Sequence, residues 1–130
     1  MSLVLDSSVI ISIERGDKKT IEELKKLSRH YSGPASIPFI ARFEFMLGIL
    51  EKNPKNKKES IALLNKFRTL PITNYTADIL SELKYKYDNK GISLPLADLL
   101  IAAQAIEHKA CLITSDRHFE RIEELQAIFI

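Results

Sequence analysis

The feature that most restricts the fold of this chain is an alternation of short apolar runs with longer stretches of helical spacing. "SLVL" (residues 2–5) is too short for a helix and apolar enough for a buried strand. In "SSVIISIERGD", Val9, Ile10 and Ile13 recur at helical spacing and Gly16 supplies a stop. "KKTIEELKKLSRHY" turns Ile21, Leu24 and Leu27 to one face and its lysines to the other. "ASIP", bounded by Pro34 and Pro38, reads as a second strand, and "FIARFEFMLGIL" as the next helix. The basic segment "EKNPKNKKES" reads as a linker, "IALLNKFRTL" as a helix and "LPIT" as a third strand. A helix through "TADILSELKYKYDNKG" ends at Gly91, and "SLPLADLLIAAQA" forms another. "ACLITSD" is a strand, "RHFERIEEL" a short helix and "AIFI" a last strand. This order predicts one α/β domain over residues 1–130, with a mainly parallel central sheet flanked by helices.

Composition narrows the function classes. A chain of 130 residues buries a core without staples. Its 19 basic and 17 acidic residues leave a net charge of +2, too balanced to argue for nucleic acid by itself. No apolar run approaches the roughly 18 residues that span a bilayer, and "MSLVLDSS" lacks the basic opening of a signal peptide. One cysteine, Cys111, forms no internal disulfide, so a reduced, cytoplasmic setting is expected. Four glycines, with no Gly-rich loop before a lysine, exclude a nucleotide-binding P-loop.

Four acids stand out. Asp6 and Asp116 follow strands directly, at the sheet edge where ligands of open parallel sheets gather; each also suits an N-cap. Asp98 has Leu94, Pro95, Ile101 and Ala102 as helical neighbours, so nothing local neutralises it, although a helix's first turn favours acids. Glu44, among Ile40, Ala41, Leu47 and Gly48, is equally unpaired, since Arg42 faces elsewhere. Acids buried in apolar helices need a partner or a metal. If the four converge, a hard divalent cation relieves their repulsion, and oxygen ligation suits Mg²⁺ or Mn²⁺. His30, His108 and His118 lack partners at zinc-ligand spacing and are expected at the surface or in packing. Ser7, Ser8, Thr114 and Ser115 flank the strand-end acids, placed to orient water or phosphate, or to cap helices.

With these residues in hand, the chain resembles the PIN-domain ribonucleases, in particular VapC-type toxins of toxin–antitoxin pairs. "LVLDSSVIISIERGD" looks like the opening strand with its acid, and "FEFMLG" like the helix carrying a glutamate with a small residue four positions on. "LPLADLLIAAQA" and "CLITSDRHFERI" are similar to the segments presenting the remaining acids. The resemblance covers the whole chain in order. It implies that Asp6, Glu44, Asp98 and Asp116 bind Mg²⁺ or Mn²⁺ and catalyse endonucleolytic RNA cleavage by a metal-activated water. It further implies a homodimer neutralised by a small antitoxin.

An RNA substrate requires positive charge near the acids. Arg117, Arg42, Lys55 and Lys57 are candidates, with Lys52 and Lys58 in the same basic segment, which reads equally as a solvated turn. Phe39, Phe43 and Phe45 around Glu44 are expected in the core rather than stacked on bases. Competing readings are a PIN nuclease that is not a toxin and an inactive RNA-binding or assembly module. A phosphoacceptor receiver domain fits less well, since Ser7 and Ser8 follow the first acid and "ELQAIFI" has no lysine.

Overall fold

The structure, a computed structural model, describes residues 1–130. Its strands are β1 (Leu3–Leu5), β2 (Ser36–Ile37), β3 (Arg68–Thr69), β4 (Cys111–Thr114) and β5 (Ala127–Phe129). They form one sheet in the order β3-β2-β1-β4-β5, and every neighbouring pair is parallel. The α/β expectation holds. Leu3, Val4 and Leu5 pair with Cys111, Leu112 and Ile113, and all six are buried. A parallel sheet covered on both faces needs such continuous apolar runs.

Side-chain alternation divides the core into two layers. Val4 and Leu112 face one, with Leu83 and Tyr87 of α5 (Asn74–Asn89) and Leu99 of α6 (Leu96–Glu107). Leu3, Leu5, Cys111 and Ile113 face the other, with Val9 and Ile10 of α1 (Ser7–Glu14), Phe45 and Ile49 of α3 (Phe39–Lys52) and Leu64 of α4 (Lys57–Leu64). Leu24 and Leu27 of α2 (Lys18–Ser28) pack at its margin. Each fully buried side chain of this size contributes about 1.5–3 kcal/mol.

Helix ends tie the layers together. The first N–H of α3 follows Pro38, which has no capping side chain. The amide of Gln104, fully buried on α6, takes that role: Oε1 accepts from Phe39 N–H at 2.9 Å while Nε2 donates to Leu70 O at 2.9 Å. The hydroxyls of Thr73 and Thr76 at the start of α5 both donate to Glu107 of α6. Gly16 and Gly91, each at φ 72°, end α1 and α5 in the left-handed region that glycine enters freely.

Several boundaries differ from expectation. The third strand is Arg68–Thr69 rather than residues 70–73, and the helix expected over 61–70 stops at Leu64. Leu70 N–H still bonds to Ile37 O at 2.8 Å, but Pro71 has no N–H to extend the ladder. The supposed linker over 51–60 is mostly helix: α3 runs to Lys52, Asn53 turns the chain at φ 44°, and α4 begins at Lys57. The helix expected over 117–125 is one 3-10 turn, Arg117–Arg121. Of the α3 aromatics expected in the core, only Phe45 is buried; Phe39 and Phe43 are 47% and 53% exposed. With Leu47 and Leu50 they form an outward apolar stripe at helical spacing. No helix is long and apolar enough to cross a membrane.

Candidate active site

Strand order reverses at the middle of the sheet. From β1 the chain builds outward through β2 and β3, then returns to lay β4 and β5 on the other side of β1. In open parallel sheets such a switch point, beyond the carboxyl ends of β1 and β4 here, is where ligands gather. Asp6 follows β1 and Thr114 ends β4, and Asp6 N–H donates to Ile113 O at 3.0 Å.

The Asp6 carboxylate is buried and held by hydroxyls. Its Oδ1 accepts from Ser7 N–H at 2.7 Å, capping α1, and its Oδ2 accepts from Thr114 Oγ1 at 2.8 Å and Ser8 Oγ at 3.2 Å. Thr114 Oγ1 accepts in turn from Asp116 N–H at 3.0 Å, and Ser8 Oγ from Ser115 N–H at 3.3 Å. Ser7 Oγ donates to Asp6 Oδ1 and Glu44 Oε1, both at 3.4 Å. The hydroxyls of Ser7, Ser8 and Thr114 thus hold the acids themselves, and Ser115 joins through its backbone. Asp116 Oδ1 accepts from His118 N–H at 2.9 Å, capping the 3-10 turn. Asp6 and Asp116 therefore act both as caps and as members of one cluster.

Electrostatics link the other two acids to these. Burial, then the charges of Asp116 and Asp6, push the Asp98 carboxyl above the usual carboxylate range, with His118 opposing. Glu44 is also raised, first by partial desolvation, then by Asp6; the Ser7 hydrogen bond opposes this and Asp98 adds to it. Asp98 on α6 thus feels Asp116 after β4 and Asp6 after β1, and Glu44 on α3 feels Asp6 and Asp98. None of Asp6, Glu44 and Asp98 has a lysine or arginine in ion-pair contact. Glu44 departs from expectation in one respect: it is exposed rather than embedded. The buried face of α3 is that of Ala41, Phe45 and Ile49, and Glu44 opens onto a cleft of about 110 Å³ beside it.

That cleft is lined by Gly48, Arg15, Lys52 and Asn56 among others, so positive charge does approach Glu44. Arg15 was not singled out from sequence, although it follows Ser8 by seven residues and so shares its helical face. Lys55 and Lys57 sit in and just after the α3–α4 turn, and Arg42 is half-buried on α3. Arg117 is already engaged: its guanidinium pairs with Glu120 at 2.7 Å and lies 4.9 Å from the centre of the Phe129 ring. His118 lies at the surface, as expected of the histidines, but beside two of the acids. Its ligand atom and those of Asp98 and Asp116 all lie within 4.8 Å of one another. The spacing Asp-x-His directly after a strand was the signal available for it.

An open parallel sheet with carboxylates at its order switch defines an α/β protein with an acidic site at the carboxyl ends of its strands. A family model described as PIN domain matches residues 3–125. Ribonuclease VapC1 of Rickettsia felis is 34% identical over 140 residues, an alignment covering 100% of this chain and 97% of the relative. Ribonuclease VapC of Rickettsia bellii is 27% identical, with 100% and 97% covered. Among solved structures, VapBC2 from Rickettsia felis, bound to a DNA fragment from its promoter, superposes with a TM-score of 0.83 at 22% identity over 100% of this chain and 99% of that one. FitAcB from Neisseria gonorrhoeae gives a TM-score of 0.81 at 22% identity over 98% and 96%. At that identity the structures speak for the fold alone. The chain belongs to the PIN-domain family.

Proposed function

We infer that this protein is an endoribonuclease that hydrolyses RNA phosphodiester bonds with a divalent metal ion, as the toxin of a VapBC-type pair. What supports the reading is that Asp98 is charge-coupled to Asp116 and Asp6, and Glu44 to Asp6 and Asp98, at the order switch of the sheet. No lysine or arginine is paired to Asp6, Glu44 or Asp98. The two family members named Ribonuclease VapC support the reaction and the substrate class.

The donor set suits Mg²⁺ or Mn²⁺. It is rich in carboxylate oxygens, and Asp98 and Glu44 are held in a setting that disfavours their charged forms unless positive charge is supplied. When bound, such an ion supplies an activated water and offsets charge on the phosphate. Asp6, Asp98, Glu44 and Asp116 are the residues that would hold it. Thr114 and Ser8 fix the rotamer of Asp6, so that carboxylate is pre-oriented before substrate arrives. Ser7 sets Glu44 against Asp6 across the α1–α3 interface. Arg15 and Lys52 line the cleft at Glu44 and offer backbone phosphates a landing beside the acids, with Arg42 on α3, Lys55 in the α3–α4 turn and Lys57 at the start of α4 extending that charge.

A protein partner follows from the same reading. Solved relatives include VapBC complexes, which supports an antitoxin partner. The exposed stripe of Phe39, Phe43, Leu47 and Leu50 supports burial of α3 against a second copy of this chain.

RNA cleavage by wild type and Asp98→Asn, each with Mg²⁺ and with chelator, tests the function. Wild type cleaves only with the ion and Asp98→Asn loses at least about 100-fold. Cleavage in chelator, or full activity of the variant, would sink the reading.

A further inference from the structure

The acids account for oxygen donors only, yet a nitrogen donor stands among them. His118 lies on the 3-10 turn after β4, and its backbone N–H and ring both address Asp116 Oδ1, at 2.9 Å and 3.1 Å (Nδ1). The first contact fixes the start of the side chain, and the second fixes its direction. The ring is otherwise open to solvent, 72% exposed, and packs into no core layer. A lone surface histidine gains nothing from such an orientation beyond one weak hydrogen bond. What makes the geometry pointed is Asp98, which arrives from α6 so that the three ligand atoms lie within 4.8 Å of one another. That spacing suits donors to one ion, and two carboxylates with one imidazole make a mixed oxygen–nitrogen set.

The donor type has a consequence. Mg²⁺ is a hard ion bound by oxygen and retains its waters, whereas Mn²⁺ and the later first-row ions also accept imidazole nitrogen. We propose that His118, with Asp98 and Asp116, forms the nitrogen-bearing half of the metal centre and biases it toward Mn²⁺ over Mg²⁺. The proposal rests on the reading of the acids as metal-holding, and assigns to one further residue the choice of ion. Asp6 and Glu44, with the Ser7 hydroxyl between them, make up the oxygen-only half.

Binding, rather than turnover, tests this. Mn²⁺ affinity, its displacement by Mg²⁺, and ¹⁴N couplings in pulsed electron paramagnetic resonance are measured on the full chain. Wild type, His118→Gln and a remote control, His108→Gln, are compared, with circular dichroism confirming the fold of each. The expected result is one imidazole coupling in wild type and His108→Gln that is absent in His118→Gln. Mn²⁺ affinity of His118→Gln falls about tenfold or more, while its Mg²⁺ affinity changes by less than about threefold. A wild-type spectrum without nitrogen coupling overturns the proposal and leaves the carboxylate reading standing. Equal weakening of both ions in His118→Gln overturns it as well, since it assigns His118 to holding Asp116 only. Failure of wild type to bind either ion removes both readings together.

Discussion

Thr114 Oγ1 donates to Asp6 Oδ2 at 2.8 Å and joins residues 108 positions apart in sequence. The same oxygen accepts from Asp116 N–H at 3.0 Å, so one buried hydroxyl sets the positions of two of the four acids. Thr114→Val keeps the shape and removes both bonds. It is expected to lower RNA cleavage about 10–100-fold, as loss of a group orienting metal ligands does, and to cost about 1–3 kcal/mol for the donors and acceptors left unmet. Cleavage kinetics and urea unfolding of the variant check both numbers.

The acid cluster also predicts a pH dependence for the metal-free fold. Asp98 and Glu44 have carboxyls raised above their ordinary values, so the folded state favours their neutral forms. Their contribution to stability is full below the unfolded value of about 4 and is lost as pH rises through the raised folded values. Glu123 and Glu124 act in the opposite sense: both are lowered, Glu123 by the Lys86 hydrogen bonds first of all, and for Glu124 the Lys86 and Tyr87 bonds outweigh a burial effect that raises it. Their contribution is present above the unfolded value and fades only in acid. In chelator, then, Asp98→Asn gains on wild type as pH rises from about 4, and its melting temperature exceeds that of wild type near neutrality. Differential scanning calorimetry across that range reads it. A variant less stable than wild type at neutral pH contradicts the account.

Gly48 sits one turn after Glu44 inside α3, and a Cβ built there meets nothing within 4 Å. Glycine in a helix interior weakens it relative to alanine. Gly48→Ala is therefore expected to stabilise the isolated chain by about 0.5–1 kcal/mol. Gly48 also lines the cleft at Glu44, so the bulkier Gly48→Leu should fold and yet raise the KM for RNA. Paired unfolding and kinetic measurements separate the two effects.

Much of the site was legible because of what the acids lacked. Asp98 and Glu44 had no cation at helical spacing, and Asp6 and Asp116 stood at strand ends, which is where the parallel sheet gathers its ligands. Local pattern could not show that Glu44 is exposed. That depends on which face of an almost wholly apolar α3 meets the sheet, and Ala41, Phe45 and Ile49 take it while Phe39 and Phe43 remain outside. The position of β3 was missed because Leu70 is buried and bonds like a strand residue, although Pro71 stops the ladder there. His118 was passed over because its partners come from α6 and from the cap of its own turn. Neither Cys nor His stands at a familiar ligand spacing to it.

Anomalous scattering from a Mn²⁺-soaked crystal tests whether carboxylates from distant segments hold one metal centre. An anomalous peak is expected beyond the carboxyl ends of β1 and β4, within about 2.0–2.6 Å of carboxylate oxygens of Asp6 and Asp98, and lost in Asp98→Asn. A peak elsewhere, or none at saturating Mn²⁺, would contradict it.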